Sequence, residues 1–245
     1  MKYLLKTLLI VALIMSLCTV CFAETTVIIV EIDPEMTLEE IETNIAMYQR
    51  AIKDNVRAIE ALNGFMYGEY LTQKEEYEVN YAMLKYYEAK LIAFKAKQEL
   101  YWEEKTQQYP VATKIWRYLT EELGYNEYVS AGIIGNMMVE SGGHTLDIDP
   151  YNWDDATGRS FYGICQWGYY FPEVKNQDLD FQLEFLRDTI EEEFRIGGYS
   201  LEKFLSLTDE REAAKVFCRA YERPGPGYEY PRLGCAEVAY DFFCG

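Results

Sequence analysis

Between Leu38 and Lys105 apolar residues return every three or four positions, and no proline interrupts them. Leu38, Ile41, Ile45, Tyr48, Ile52, Val56, Ile59 and Leu62 fall at steps of three or four. Only a helix keeps such residues on one side, and the spacing is close to a heptad seam with one slip. Asn63-Gly64 breaks the run. A second helix is predicted from Thr72 to Lys105, with Tyr77, Tyr81, Leu84, Tyr87, Leu91, Phe94 and Tyr101 among its apolar positions. The two predict an antiparallel helical hairpin or coiled coil over residues 24–107. Its seam has no other evident cover, so self-association through residues 36–106 is expected. Its tyrosines read as seam residues, since apolar stripes at helical spacing are packing surfaces, and nothing in it reads as catalytic.

The segment before it is a targeting signal in appearance. Lys2 and Lys6 precede an apolar stretch, Leu8 to Val20, and Cys21-Phe22-Ala23 forms a small-x-small cleavage site before Glu24. The stretch is short for a membrane span. Residues 1–23 are therefore expected to direct export, with an uncleaved signal anchor as the alternative and a secreted or envelope-associated product in either case. Their removal takes two lysines and no acids, moving the formal charge from −18 to −20. So acidic a balance argues against nucleic acid as a partner and against unaided adhesion to an anionic membrane or wall.

Beyond a junction at Gln107–Pro110, residues 108–245 read as one domain, mainly α with a small β element. Helices are predicted from Pro110, where proline suits a first turn, over Tyr128–Glu140, Leu179–Arg195, Thr208–Tyr221 and Arg232–Phe243, with Asn126 able to cap the second. Val129, Ile133, Met137 and Glu140 share one face of the Tyr128–Glu140 helix, placing a carboxylate on the apolar side of its last turn. Gly132 and Gly135 lie inside that helix at a cost of about 1 kcal/mol each relative to alanine, so a neighbour is expected to pack close against its backbone. Gly142 and Gly143 end it.

Three motifs follow in order: a helix ending in Glu140-Ser141-Gly142, then Gly163-Ile164-Cys165-Gln166-Trp167 in a strand or hairpin arm, then Ala220-Tyr221-Glu222 at a helix end. The ordered set resembles the goose-type lysozyme and lytic-transglycosylase superfamily, most closely the phage tail lysozyme family, over roughly Tyr109 to Phe243. The resemblance implies an α+β lysozyme-like fold and cleavage of the MurNAc-GlcNAc β-1,4 bond of peptidoglycan, with glycan strands as the partner and no cofactor. It carries the general acid onto Glu140, whose position at a desolvated helix end suits it to hold a proton near neutral pH.

Asp154 and Asp155 are candidates for a second carboxylate that activates water or stabilises an oxocarbenium ion. Some members of the superfamily work with one glutamate alone, so hydrolase and transglycosylase chemistry both stay open. Tyr162, Gln166 and Trp167 are candidate sugar contacts, an amide beside aromatic rings, and the resemblance adds Tyr221 to the cleft. Glu222 stands where the superfamily commonly has asparagine. Either it adds a carboxylate to the site or it pairs with Arg223. His144 is the only histidine, which leaves little for a catalytic triad or a zinc site. Four cysteines remain after export. Two disulfides are expected, Cys218–Cys235 and Cys165–Cys244, because Cys235 and Cys244 lie too far apart on one helix to join. The reading from another class is a non-catalytic glycan-binding or envelope-assembly protein that works through its hairpin.

Overall fold

The computed structural model describes residues 36–61, 67–155, 160–168, 170–225 and 227–245. The signal segment and the Asn63-Gly64 break lie outside these residues. The chain divides into two units between Leu100 and Tyr101.

In the first unit, α1 (Leu38–Ala61) lies beside α2, a helix that runs Tyr67–Gln108. Tyr48 stacks on Tyr87, and Asn55 meets Asn80. Later residues of α1 thus meet earlier residues of α2, so the pair is antiparallel as predicted. The seam itself differs from the expected one. Asn55 is buried in it, while Val56 is 38% exposed. The Asn55 amide donates to Gln73 Oε1 at 3.0 Å and Glu76 Oε2 at 3.2 Å, and its oxygen accepts from Asn80 at 2.7 Å. With Asn55 in place of Val56, the steps from Leu38 to Ile59 alternate three and four without a slip.

In the second unit, Pro110 opens α3 (Pro110–Arg117), which continues as a π-helical turn to Glu122. α4 (Glu127–Ser141) is the centre. Asn126 caps it, accepting from the Val129 N–H at 2.9 Å, and its amide ties the cap to the Leu205 and Leu207 carbonyls. A three-stranded antiparallel sheet follows: β1 (Trp153–Asp154), β2 (Phe161–Tyr162) and β3 (Trp167–Gly168) in that order, with Tyr162 opposite both Trp153 and Trp167. Then come α5 (Leu179–Gly197), α6 (Leu201–Leu205), α7 (Glu210–Phe217), which runs on as a π-helical turn to Glu222, and α8 (Glu229–Cys244). The unit is thus mainly α with one small sheet, and the long helices precede it.

Every residue from Val129 to Met138 is buried. The one-sided reading of this helix is corrected: α4 is enclosed on all sides, as an all-round apolar helix must be. Its glycines explain how. A Cβ on Gly132 would meet the Ala213 Cβ at 2.6 Å, and one on Gly135 would meet the Ala236 backbone nitrogen at 2.5 Å. α7 and α8 therefore approach α4 at its glycines, and this contact fixes what the helix ends present.

Candidate active site

α4 delivers Glu140 from its last turn, and α8 delivers Arg232 from its first. The π-helical turn after α7 ends at Glu222. The three side chains meet. Arg232 Nη2 donates to Glu140 Oε1, Nε donates to Glu222 Oε2 at 3.0 Å, and Nη1 donates to the Tyr228 carbonyl. The Arg232 and Glu222 side chains are 2% and 4% exposed, and that of Glu140 is 20% exposed. Solvent reaches the cluster through Glu140.

Burial pushes the Glu140 carboxyl above the ordinary glutamate range, while Arg232 and a hydrogen bond from Glu222 pull it partly back. Glu222 is pushed much further, first by burial and then by the charge of Glu140 beside it. Its Oε1 is buried and receives no hydrogen bond, so an ionised Glu222 would leave an unsatisfied oxygen. As a neutral acid it can instead give its O–H to Glu140. One guanidinium and two carboxyls are neutral when they share one proton. That is the state burial favours, since an uncompensated charge is costly there. The pair titrates as a unit.

The surroundings hold this geometry. The Asn152 amide donates to the Glu140 carbonyl at 3.0 Å, and Ser141 Oγ donates to the carbonyls of Met137 and Ile164. Gln166 takes a positive φ of 47°, and its amide donates to the carbonyls of Asn152 and Gly163 at 3.2 and 3.0 Å. Gln166 thus braces the loop that reaches Glu140. Gln182, which the sequence did not single out, is buried. It accepts from the Ile164 N–H at 2.9 Å and donates to the Pro150 carbonyl at 2.7 Å.

Residues 110–243 match the model of the phage tail lysozyme family. The chain belongs to that family. Its lysozyme-type domain is accordingly a peptidoglycan-directed glycosidase domain. Comparison with curated proteins gives no match.

Against this family frame, the other expected site residues fall in distinct places. Glu222 does not pair with Arg223, which forms an ion pair with Glu193. It is the carboxyl set beside Glu140. Asp154 ends β1 opposite Phe161, Asp155 follows it, and both are exposed. Tyr162 lies half-buried on β2. Trp167 and Tyr221 are 5% and 6% exposed. The Trp167 indole N–H donates to the Tyr221 hydroxyl at 2.9 Å, that hydroxyl also bonds Thr189 at 2.8 Å, and Trp167 packs edge-on against Phe185. Both rings belong to the hydrophobic core.

The expected disulfides are corrected. Cys165, Cys218, Cys235 and Cys244 are free thiols. Cys235 turns inward, its Sγ 3.9 Å from the His144 carbonyl, while Cys244 is exposed at the far end of the same helix. Cys165 is enclosed in the core, so a Cys165–Cys244 bridge would have to join a buried turn to an exposed helix end. Cys218 and Cys235 both lie within the field of Arg232, which opposes the effect of burial on each thiol. Burial pushes the Cys218 thiol up to about 12, and burial with the nearby carboxylates pushes Cys165 well above its usual value. Neither serves as a thiolate nucleophile. Among the described residues no three His, Cys, Asp or Glu side chains group as a metal site.

Proposed function

We propose that the chain is an exported peptidoglycan glycosidase that cuts the MurNAc-GlcNAc β-1,4 bond with Glu140 as general acid, and that residues 1–23 direct its export. What supports the reading is the contact of Arg232 with both Glu140 and Glu222, with Glu140 the partly exposed member. Glu140 gives its proton to the glycosidic oxygen as the bond to the anomeric carbon breaks. That proton is the one it shares with Glu222, so both carboxyls are then ionised and Arg232 faces the pair. Water, or the muramic acid's own 6-hydroxyl, adds to the anomeric carbon and returns a proton to the pair.

The test is a zymogram and turbidity assay on purified wall with wild type and Glu140→Gln. General acid catalysis is worth about 10²–10⁴-fold, so lysis should fall by at least the lower bound. Product mass separates hydrolysis from formation of an anhydro sugar, which weighs one water less. Wild-type turnover by Glu140→Gln would end this reading in favour of a binding protein.

A further inference from the structure

Next to Glu140 the fold holds a second feature that the cluster does not use. A cleft of about 230 Å³ lies between the sheet and the turn after β3, lined among others by Tyr151, Asn152, Trp153, Tyr162, Lys175 and Asn176. At about 30 Å³ per water, it has room for one sugar ring with its substituent. Asn152 joins it to the site, since the same side chain donates to the Glu140 carbonyl. Lys175 Nζ sits 5.8 Å from the centre of the Trp153 ring and 5.5 Å from that of Tyr162. Ring faces attract a cation and fix its position. Yet among the described residues no carboxylate pairs with Lys175, in a chain with 41 acidic and 23 basic residues. Asn176 beside it takes a positive φ of 60°. Asparagine tolerates that left-handed state, which turns the chain at the edge of the cleft. Trp153 leaves 57% of its surface open, enough for a sugar face to stack.

We propose that this cleft is a carboxylate-reading subsite. In it Trp153 and Tyr162 receive one sugar ring, and Lys175 pairs with the acid carried by a muramic acid unit. The inference rests on the glycosidase reading and adds to it the substrate class that the site prefers. N-acetylglucosamine and N-acetylmuramic acid share a ring and differ in the lactyl ether, which ends in a carboxylate or continues into an acidic stem peptide. A fixed cation at one subsite therefore sets which sugar of the alternating strand lies there, and hence which bond faces Glu140.

The test uses the full chain carrying Glu140→Gln, so that ligands persist, and follows tryptophan fluorescence on titration. Three probes are compared: GlcNAc-MurNAc with a free lactyl acid, the same disaccharide with its stem peptide, and neutral chitobiose. A hydrogen bond to a charged group corresponds to about tenfold or more in affinity, so at least one acidic probe should bind that much tighter than chitobiose. Whichever acidic probe shows the gain identifies the lactyl or the peptide carboxylate as its source. Adding Lys175→Met should abolish the preference, and Lys175→Arg should keep it. Unchanged chitobiose binding shows that the cleft is intact in both. Equal binding of all three probes, or a preference that survives Lys175→Met, would overturn the subsite. If wild type lyses wall under those outcomes, the glycosidase reading stands without it. If it neither lyses wall nor binds any probe, both fall.

Discussion

Arg232 is shared by two carboxyls, and the proton between them would bear on stability as well as on the proposed catalysis. Glu222 holds its proton in the folded protein at pH values where the unfolded chain, near the usual 4.3, has released it. The native state then binds more protons than the unfolded state, so stability falls as pH rises. This contribution is whole below the ordinary glutamate value and disappears as pH climbs through the raised native one. Glu222→Gln mimics the neutral acid and cannot ionise. Its melting temperature should match wild type near pH 4 and exceed it increasingly toward about pH 8, while wall lysis drops because Glu140, left as the single acid beside Arg232, is ionised. A constant difference across that range would mean that Glu222 is ionised in the native state. Glu140 was legible from its motif, and Glu222 was flagged by standing where asparagine is common. Arg232 was not foreseen. It lies across a Pro/Gly loop and opens its helix like any surface arginine, so only the fold reveals that two acids enclose it.

At the scale of elements, the glycines of α4 carry the packing that aims the site. Gly135→Ala should gain about 1 kcal/mol from helix propensity. It would also set a Cβ 2.5 Å from the Ala236 backbone nitrogen. Backbone on a packed helix does not yield easily, and overpacking costs about 1–3 kcal/mol. The net effect should be destabilising, with lower wall lysis as well, because Arg232 sits one turn before Ala236 on α8. Gly234→Ala is the opposite case. It lies in the same helix, and nothing stands within 4 Å of its added Cβ, so it should stabilise by up to about 1 kcal/mol. Chemical denaturation of the two variants decides this, and equal signs would refute the account. The close approach was legible because two interior glycines need a reason. The enclosure of α4 was not, since a stripe at steps of three and four says which face is apolar but not how many neighbours arrive. Asn55 shows the same limit in α1. Hydrophobicity chose Val56 for the seam, whereas strict heptad geometry chose the polar residue next to it, which α2 supplies with partners. A buried asparagine of this kind fixes register at some cost in stability.

At the scale of the whole molecule, the helical outline and the order of the motifs were readable because periodicity and turn residues are local signals. The cluster, the free thiols and the cleft depend on contacts between distant segments, and these needed the fold. Charge is the one global property that sequence states outright, and it bears on how the protein meets its substrate. Residues 101–245 hold 26 acidic and 13 basic residues, so the lysozyme-type unit is itself strongly negative. Bacterial wall is also anionic. Their encounter is therefore opposed over about 30 Å at 0.01 M salt but only about 10 Å at 0.1 M. Screening should raise the rate of wall lysis as ionic strength increases across that range, the reverse of what a basic lysozyme would show. The Lys175 contact works in the other direction, yet it is one short-range pair against a net repulsion of many charges, so the rise should prevail on wall. Chitobiose is neutral, and its affinity should stay nearly flat in the same titration. Turbidity rates on purified wall from about 10 to about 150 mM sodium chloride provide the measurement. A rate that falls steadily with salt would mean that a local cationic surface, and not the net charge, governs the encounter.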